Sequence, residues 1–539
     1  MFQSPEAAAR ALFHSGVSAH AAGRLDESIA AVDAALRLAP DFPEALSFAG
    51  FILQQRGHPA VALRFYERAL ALKAGDAVAW FNRGVILLGE RRLDEALASL
   101  EKACELQPEN PGFQCNRGAA LYELGRLHEA ADVYGIALAQ KPDLPQGELN
   151  LANALMRLGR YRDAREAYLR AIGLRPDYAL AFCGLGIVAK ELGWFEEAMQ
   201  AFDRALALAP DSEEALSNRG CLNLLLGNFA EGWEGYEYRW ARGLRPVPIS
   251  EARFDPANVA GRRILVVNDH GLGDTIQFYR YVVLLVRGGA RVTVAAPTKI
   301  RRLLDSSGAQ VTWRDESDLS GDFDDIIAIS SLPRAFTTRL DTIPAPTPYL
   351  SAEPARVAAW RAGLQGGSIK IGLCWRGNAD FRVDPRRSIP PEAFLPLTRI
   401  EGARLISVQK GVQPDDLPAE LASRLENLAG DFDAGPDAFL DTAAIMAQLD
   451  LVITCDTSIA HLAGALGRPV WVALRHVAEW RWLCGREDSP WYPNMRLFRC
   501  GEGDDWTALL GGMAAEIAKN SAGVKRLNAN KLHNISKLD

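Results

Sequence analysis

No uninterrupted apolar run in these 539 residues approaches ~20, so no transmembrane helix is expected. The first residues, MFQSPEAAARALF, lack the basic start and apolar block of a secretory leader. Positive charge is not in excess: 60 Lys and Arg face 67 Asp and Glu, a formal net charge of -7. That balance argues against a nucleic-acid partner, which selects a basic surface. Cysteine is sparse and scattered: Cys104, Cys115, Cys183, Cys221, Cys374, Cys455, Cys484 and Cys500 form no CxxC pair of the zinc or redox kind. Contexts such as GLCW and VITC read as small buried hydrophobes, so a reducing, cytoplasmic setting is expected. What remains is ordinary for globular chains, 48% apolar and 24% charged, at a length that demands more than one core.

The first 235 residues repeat with a period of 34. Glycine falls at Gly16, Gly50, Gly84, Gly118, Gly186 and Gly220, with Ala152 filling the gap. A second register carries Gly23, Gly57, Arg91, Gly125, Gly159, Gly193 and Gly227, and a third Ser28, Ala62, Ala96, Ala130, Ala164, Ala198 and Gly232. Small residues at these places let two antiparallel helices approach. Pro40, Pro108, Pro142, Pro176 and Pro210 then stop each second helix. The spacing resembles the tetratricopeptide repeat, about seven helical hairpins over 1–241. It ends in GWEGYEYRW (232–240), where aromatics replace the pattern. Asn82, Asn116, Asn150 and Asn218 share one repeat position, with Gly184 interrupting. In a solenoid they would line the groove of the first helices and could bind the backbone of an acceptor protein. They would equally serve as bonds to neighbouring helices. A protein partner is expected on either reading.

From about 262 the period changes. RRILVVN (262–268), RVTVAA (291–296), QVTW (310–313) and DDIIAIS (324–330) alternate with helical segments, which predicts a parallel sheet. After the Pro-rich TIPAPTPYLS (342–351) a second series follows: KIGLCW (370–375), RLISVQ (404–409), NLAG (427–430), DLVITC (450–455) and PVWVAL (469–474). Helices are predicted near 298–305, 391–399, 440–448 and 458–466. A last helix, 507–520, is positioned to brace the first sheet. The expected domains are thus a repeat array at 1–241, α/β domains at 250–350 and 351–520, and a disordered tail at 521–539. Ligands of open parallel sheets bind at the carboxyl ends of the strands. Those ends carry GLGD (271–274), WRGN (375–378), QKG (409–411) and DTSIAH (456–461).

The stretch VITCDTSIAHLAGALGRPVWVAL resembles the donor-binding segment of family-9 glycosyltransferases, the heptosyltransferase group, and GLGDT resembles their N-terminal catalytic turn. Repeats fused to such a module resemble bacterial repeat-containing glycosyltransferases, including those that modify flagellin. The domain order is also similar to that of O-GlcNAc transferases. The resemblance implies a GT-B fold of two Rossmann-like domains, an inverting reaction, a nucleotide-sugar donor as substrate, no cofactor and no catalytic metal.

Glycosyl transfer requires a base for the acceptor hydroxyl and help for the departing phosphate. Asp274 matches the aspartate that the resemblance assigns as base; an aspartate opening a helix is also an ordinary N-cap. His270 is an alternative base. Gly271 and Gly273 would permit a tight turn and close approach of substrate. The helix starting at Thr457 and Ser458 offers an anion site, with Lys410 and Arg376 as cations. Asp456 reads as a cap or a sugar or ribose ligand; Gln409 and Asn378 complete the donor side. His461 matches a family histidine, or is a buried structural one. Arg382, Arg386 and Arg387 form a basic loop that would close over the donor, or a solvated one. Trp482 or Trp491, in EWRWLCGREDSPWYPNMRLF (479–498), would supply a stacking surface on the donor side, although most rings there would be packing. The DxD spellings at Asp322–Asp324 and Asp431–Asp433 are rejected as metal sites. The preferred reading is a transferase acting on serine or threonine of a protein held by the repeats. A transferase with a lipid-linked or saccharide acceptor, and a repeat scaffold with an inactive C-terminal module, are the alternatives.

Overall fold

A computed structural model describes residues 4–240, 254–366, 369–377, 387–428 and 432–519. The chain divides into two compact units, Met1–Pro210 and Asp211–Asp539. The first holds six helical hairpins, from α1 (Pro5–Ala21) to α12 (Phe195–Leu208). The seventh, α13 (Glu213–Leu226) and α14 (Phe229–Tyr236), lies in the second unit.

The repeat registers have a steric cause. A Cβ on Gly50 would stand 3.0 Å from the Tyr66 ring, and one on Gly118 2.6 Å from Tyr134, so in these hairpins glycine on the first helix makes room for an aromatic ring on the second. The turn register is left-handed: Gly57 has φ +77° and Arg91, alone in carrying a side chain there, φ +62°. Within the first unit, the first helices α5 (Ala77–Gly89), α7 (Pro111–Glu123), α9 (Pro145–Arg157) and α11 (Ala179–Glu191) touch in succession. That makes them the inner layer of the array.

The second unit contains two parallel sheets, as the two apolar series predict. In the first, β1 (Arg263–Val267), β2 (Arg291–Ala295), β3 (Thr312–Arg314) and β4 (Asp325–Ala328) lie in the order β3-β2-β1-β4. In the second, β5 (Ile369–Cys374), β6 (Ala403–Ser407), β7 (Leu425–Glu426), β8 (Leu451–Thr454), β9 (Val470–Leu474) and β10 (Met495–Arg499) lie in the order β10-β9-β8-β5-β6-β7. The edge strand β10, parallel to β9, is an element that the strand pattern did not predict.

Helix α15 (Leu272–Arg287) follows β1, and every residue from Thr275 to Val283 is buried. A helix buried all round belongs to the interior. One side faces its own sheet, and its start packs on the helix over Ser458–Ala465. Helices α16 (Thr298–Asp305) and α17 (Leu332–Ala335) complete the first half; α18 (Pro354–Arg361) belongs with the second, where Arg356 pairs with Asp441 (2.7 Å). Helices α19 (Leu395–Thr398), α20 (Ala419–Arg424), α21 (Leu440–Met446), α22 (Ser458–Ala465) and α23, over 506–519, flank the second. The sequence placed this last helix against the first sheet. It instead packs on the second: Leu510, Met513, Ala514 and Ile517, one helical face, are buried in the core with Ile371, Leu405 and Leu421. Among the described residues no helix is long and apolar enough to cross a membrane.

Candidate active site

The turn after β1 is built from buried polar groups. Asn268 donates from Nδ2 to the His270 carbonyl (3.0 Å) and accepts the Thr275 hydroxyl at Oδ1. The Asp269 side chain is fully buried and accepts from the Ser330 amide (3.2 Å), the Ser330 hydroxyl and Arg239 Nη2 (2.9 Å). Burial alone would raise its carboxyl. His270, with Nδ1 3.3 Å away, and the Arg239 guanidinium outweigh that and hold it down at about 2. Asp269 is therefore a fixed anion.

Asp274 is not the N-cap of α15. Gly271 occupies that place, with no side-chain cap, and Asp274 is the third helical residue. There its charge favours the positive end of the helix. Its carboxylate is held by Arg481, whose Nη2 donates to Oδ1. Arg481 is 8% exposed, donates from Nε to Gln277 Oε1 (2.8 Å), and also pairs with Glu479. One guanidinium thus joins helix α15 of the first sheet to the loop after β9 of the second.

Gly273 explains why these loops meet. A Cβ there would lie 3.1 Å from His461 Cδ2 and 3.3 Å from Ser458 Cα, so the absent side chain lets the start of α15 rest on the start of α22. Thr457 is the N-cap of α22; its hydroxyl accepts from the Ile459 amide at 3.3 Å. Asp456 is thus not the cap. It lies 3.7 Å from Arg387 Nη1, and burial raises its carboxyl above the ordinary range against the pull of that arginine. The turns after β5 and β8 are neighbours, with Gly377 facing the Thr457 methyl.

Several sequence-derived assignments need correction. His461 is buried, its Nδ1 3.1 Å from the Tyr492 hydroxyl and its ring stacked on Trp482 at 5.3 Å. Burial, reinforced by the positive Arg481, lowers it to about 3, so it stays neutral and does not carry protons at ordinary pH. Gln409 is also buried: its Oε1 accepts from the Trp375 (3.3 Å) and Arg376 (3.0 Å) amides and ties two strand ends together. Neither Trp482 nor Trp491 offers a stacking surface, since both are 0% exposed. The latter packs against Phe278 and Trp480. The segment 479–498 is an aromatic wedge that ends in a strand.

Lys410 is exposed and donates to the Asp433 carbonyl (2.7 Å). Arg376 Nη2 lies 3.4 Å from the Gly411 carbonyl. Asn378, Arg382 and Arg386 lie outside the described residues. Asp322 and Asp324 both pair with Arg263 (2.8 and 2.9 Å). Asp433 binds the Asp441 amide and the Thr442 hydroxyl; Asp431 is outside the described residues. Asn116 and Asn218 donate to carbonyls one turn back in their own helices (3.0 and 2.9 Å), and Asn150 accepts from Gln146 (2.9 Å). Asn82 bonds the Tyr66 hydroxyl on a neighbouring helix. All four are partly exposed. Two surface cavities, of about 400 Å³ beside Phe229 and Leu340 and about 210 Å³ beside Arg287 and Tyr349, are lined by none of Asp274, Arg481 or Asp456.

Sequence reasoning missed Arg481, Glu479, Arg239 and Asp269. Only Asp269 left a local signal, as the first carboxylate of DHGLGD.

Comparison with known proteins bears on the helical half. Tetratricopeptide-repeat family profiles match residues 3–43, 149–213 and 92–125. The chain carries tetratricopeptide repeats. Protein FlbA of Caulobacter vibrioides is 26% identical over 316 residues, covering 53% of this chain and 52% of that protein, so the chain spans about half the length of this curated relative. Among solved structures, YrrB, described as a TPR protein with an unusual peptide-binding site, shares 22% identity over 34% of this chain and 95% of its own, with a TM-score of 0.32. PilF of Pseudomonas aeruginosa shares 22% over 40% of this chain and 97% of its own, with a TM-score of 0.36. The repeat array is an architecture for protein interaction.

Proposed function

We propose that this tetratricopeptide-repeat protein is an inverting glycosyltransferase of GT-B type, moving a sugar from a nucleotide-sugar to serine or threonine hydroxyls of a protein bound by the repeats. The observation that carries the reading is the meeting of the turn after β1 with the turn after β8, through Gly273, at the carboxyl ends of two parallel sheets. Ligand sites of open α/β sheets form at such edges. In the proposed step the acceptor oxygen bonds to the anomeric carbon as the bond from that carbon to the phosphate oxygen breaks. The hydroxyl proton passes to the Asp274 carboxylate, and the nucleoside diphosphate departs toward Arg387, Lys410 and the amides that open α22. These groups would carry the phosphate charge without a metal ion. Arg481 must loosen its hold on Asp274 before that carboxylate can accept a proton.

The closed Asp274–Arg481 pair favours one alternative, a partner-binding scaffold whose C-terminal half no longer transfers sugar. Intact mass spectrometry of proteins from cells with and without the chain separates the two. Flagellin is the first acceptor to examine, on the resemblance described above. A mass difference of one or more sugars supports transfer; unchanged masses across the proteome sink it.

A further inference from the structure

The seventh hairpin departs from its six predecessors in the residue at one buried position, 239, and in what the side chain meets at another, 236. Counting back from Arg239 in steps of 34, every other repeat has alanine: Ala205, Ala171, Ala137, Ala103, Ala69 and Ala35, each at most 1% exposed. The position of Tyr236 is occupied earlier by Phe202, Tyr168, Tyr134 and Tyr66, among others. Those earlier tyrosines bond side chains of the array: Tyr66 donates to Gln54 of its own hairpin (3.2 Å) and also bonds Asn82 of the next, and Tyr168 donates to Asn153 (2.6 Å). Tyr236 instead lies with its hydroxyl 3.4 Å from His270 Nε2, in the turn after β1. Arg239, with a side chain 6% exposed, meets Asp269 at 2.9 Å and the Ser331 hydroxyl at 2.7 Å.

The local backbone allows this. A Cβ on Gly220 would fall 2.5 Å from the Gly235 carbonyl carbon, so α13 and α14 touch backbone to backbone where the second, fourth and sixth hairpins hold an aromatic ring. Relieved of that packing duty, the Tyr236 ring lies edge-on to Trp480 at 5.5 Å, beside the loop that carries Arg481. Trp233 anchors the same helix by donating from Nε1 to the Thr338 carbonyl (2.9 Å).

We infer that the seventh hairpin belongs to the catalytic machinery, with Tyr236 and Arg239 as positioning residues that hold the Asp269–His270 turn at the start of α15. The catalytic half of this inference rests on the glycosyl-transfer reading. Asp269 and His270 receive their partners from the end of the repeat array, so the loop bearing both candidate bases, His270 and Asp274, is set by a repeat helix. An array unit serving only as a spacer would take alanine at 239, as all six earlier repeats do, and needs no hydroxyl at 236, as Phe202 of the sixth repeat shows.

The test places those array residues into the full chain. Arg239→Ala, Arg239→Lys and Tyr236→Phe are compared by the ring-carbon NMR signal of His270 in histidine-labelled protein, assigned with His270→Asn. Arg239→Ala and Tyr236→Phe should each move that signal, with Arg239→Lys restoring part of it. In transfer assays kcat should fall by roughly tenfold to a hundredfold in the first two, as for a misplaced reacting group, with KM for the nucleotide-sugar little changed. Tyr236→Phe and Arg239→Lys keep the test open if Arg239→Ala does not fold. An unmoved His270 signal in the folded variants overturns the inference. A moved signal with unchanged kcat overturns its catalytic half. Absence of transfer by the unaltered chain refutes the glycosyl-transfer reading instead, while the ring signal still decides whether the hairpin positions His270.

Discussion

The carboxylate of Asp274 and the guanidinium of Arg481 are bound to one another across 207 residues of sequence and two separate sheets. Glu479 shares the same guanidinium, so the arginine keeps one anion if the other is removed. Asp274→Asn should therefore fold, with a stability loss of about 1–3 kcal/mol, below the cost of leaving a buried charge wholly unpaired. If Asp274 is the base, transfer should fall by roughly a hundredfold or more while nucleotide-sugar binding persists. Calorimetric titration with nucleotide-sugars beside the mass assay checks both. Near-normal turnover would reduce Asp274 to a structural partner of Arg481.

Gly273 makes a sharper structural prediction. Alanine there would press its methyl carbon to 3.1 Å from the His461 ring and 3.3 Å from the Ser458 backbone. The ring is held by Trp482 and Tyr492, so neither neighbour yields readily. Gly273→Ala should cost about 1–3 kcal/mol, the range for overpacking a well-filled contact. Urea melts of the full chain would show it in the transition of the α/β unit. A neutral substitution would mean that α15 and α22 are less tightly joined than described.

Much of this fold was legible in the chain because sterics repeat. The glycine and alanine registers mark helix contacts, and buried parallel strands read as unbroken apolar runs such as ILVV and LVIT. Strand β10 escaped because MRLFR alternates arginine with apolar residues inside an aromatic-rich stretch that reads as irregular. Packing is the role of most rings in the aromatic wedge, as its sequence implies, but the burial of Trp482 and Trp491 was not legible, because sequence cannot tell a ring aimed at a ligand from one aimed at Phe278. Asp274 was legible through its glycine turn. Arg481 was not, because nothing in EWRWLCG specifies a partner two hundred residues away. His461 stood out by its position, while the burial that silences it depends on Trp482 and Tyr492 arriving from another loop.

Arg91 is the exception in a register of glycines. At φ +62° its side chain crowds the backbone, and its ion pair with Glu123 lies at the surface, where such pairs contribute little. Arg91→Gly should raise stability by about 0.5–1 kcal/mol, the left-handed penalty less the greater freedom glycine has when unfolded. Thermal melts of the two chains would decide it; a lower melting temperature would mean that the Glu123 contact outweighs the strain.

Two buried groups, Asp269 and His461, each make the stability of the α/β unit depend on pH, and their signs can be worked out. Asp269 titrates near 2 when folded, below the ordinary carboxylate value, so its contribution is full above about pH 4 and is lost as pH falls toward 2. His461 titrates near 3 when folded but in the ordinary imidazole range, about 6.5, when unfolded. Between those values the unfolded chain binds the extra proton, so stability declines as pH falls from about 6.5 toward 3. The histidine term therefore acts first, and the aspartate term only in stronger acid. Replacing the imidazole separates them: His461→Gln keeps a hydrogen-bonding partner for the Tyr492 hydroxyl but does not titrate. It should be less stable at pH 7, through loss of the stack on Trp482, yet show a flatter decline between pH 6.5 and 4. Urea unfolding at intervals across that range measures the slope directly. Parallel declines in the two proteins would mean that His461 takes up its proton without unfolding, and that the site near Arg481 is wetter than its burial implies.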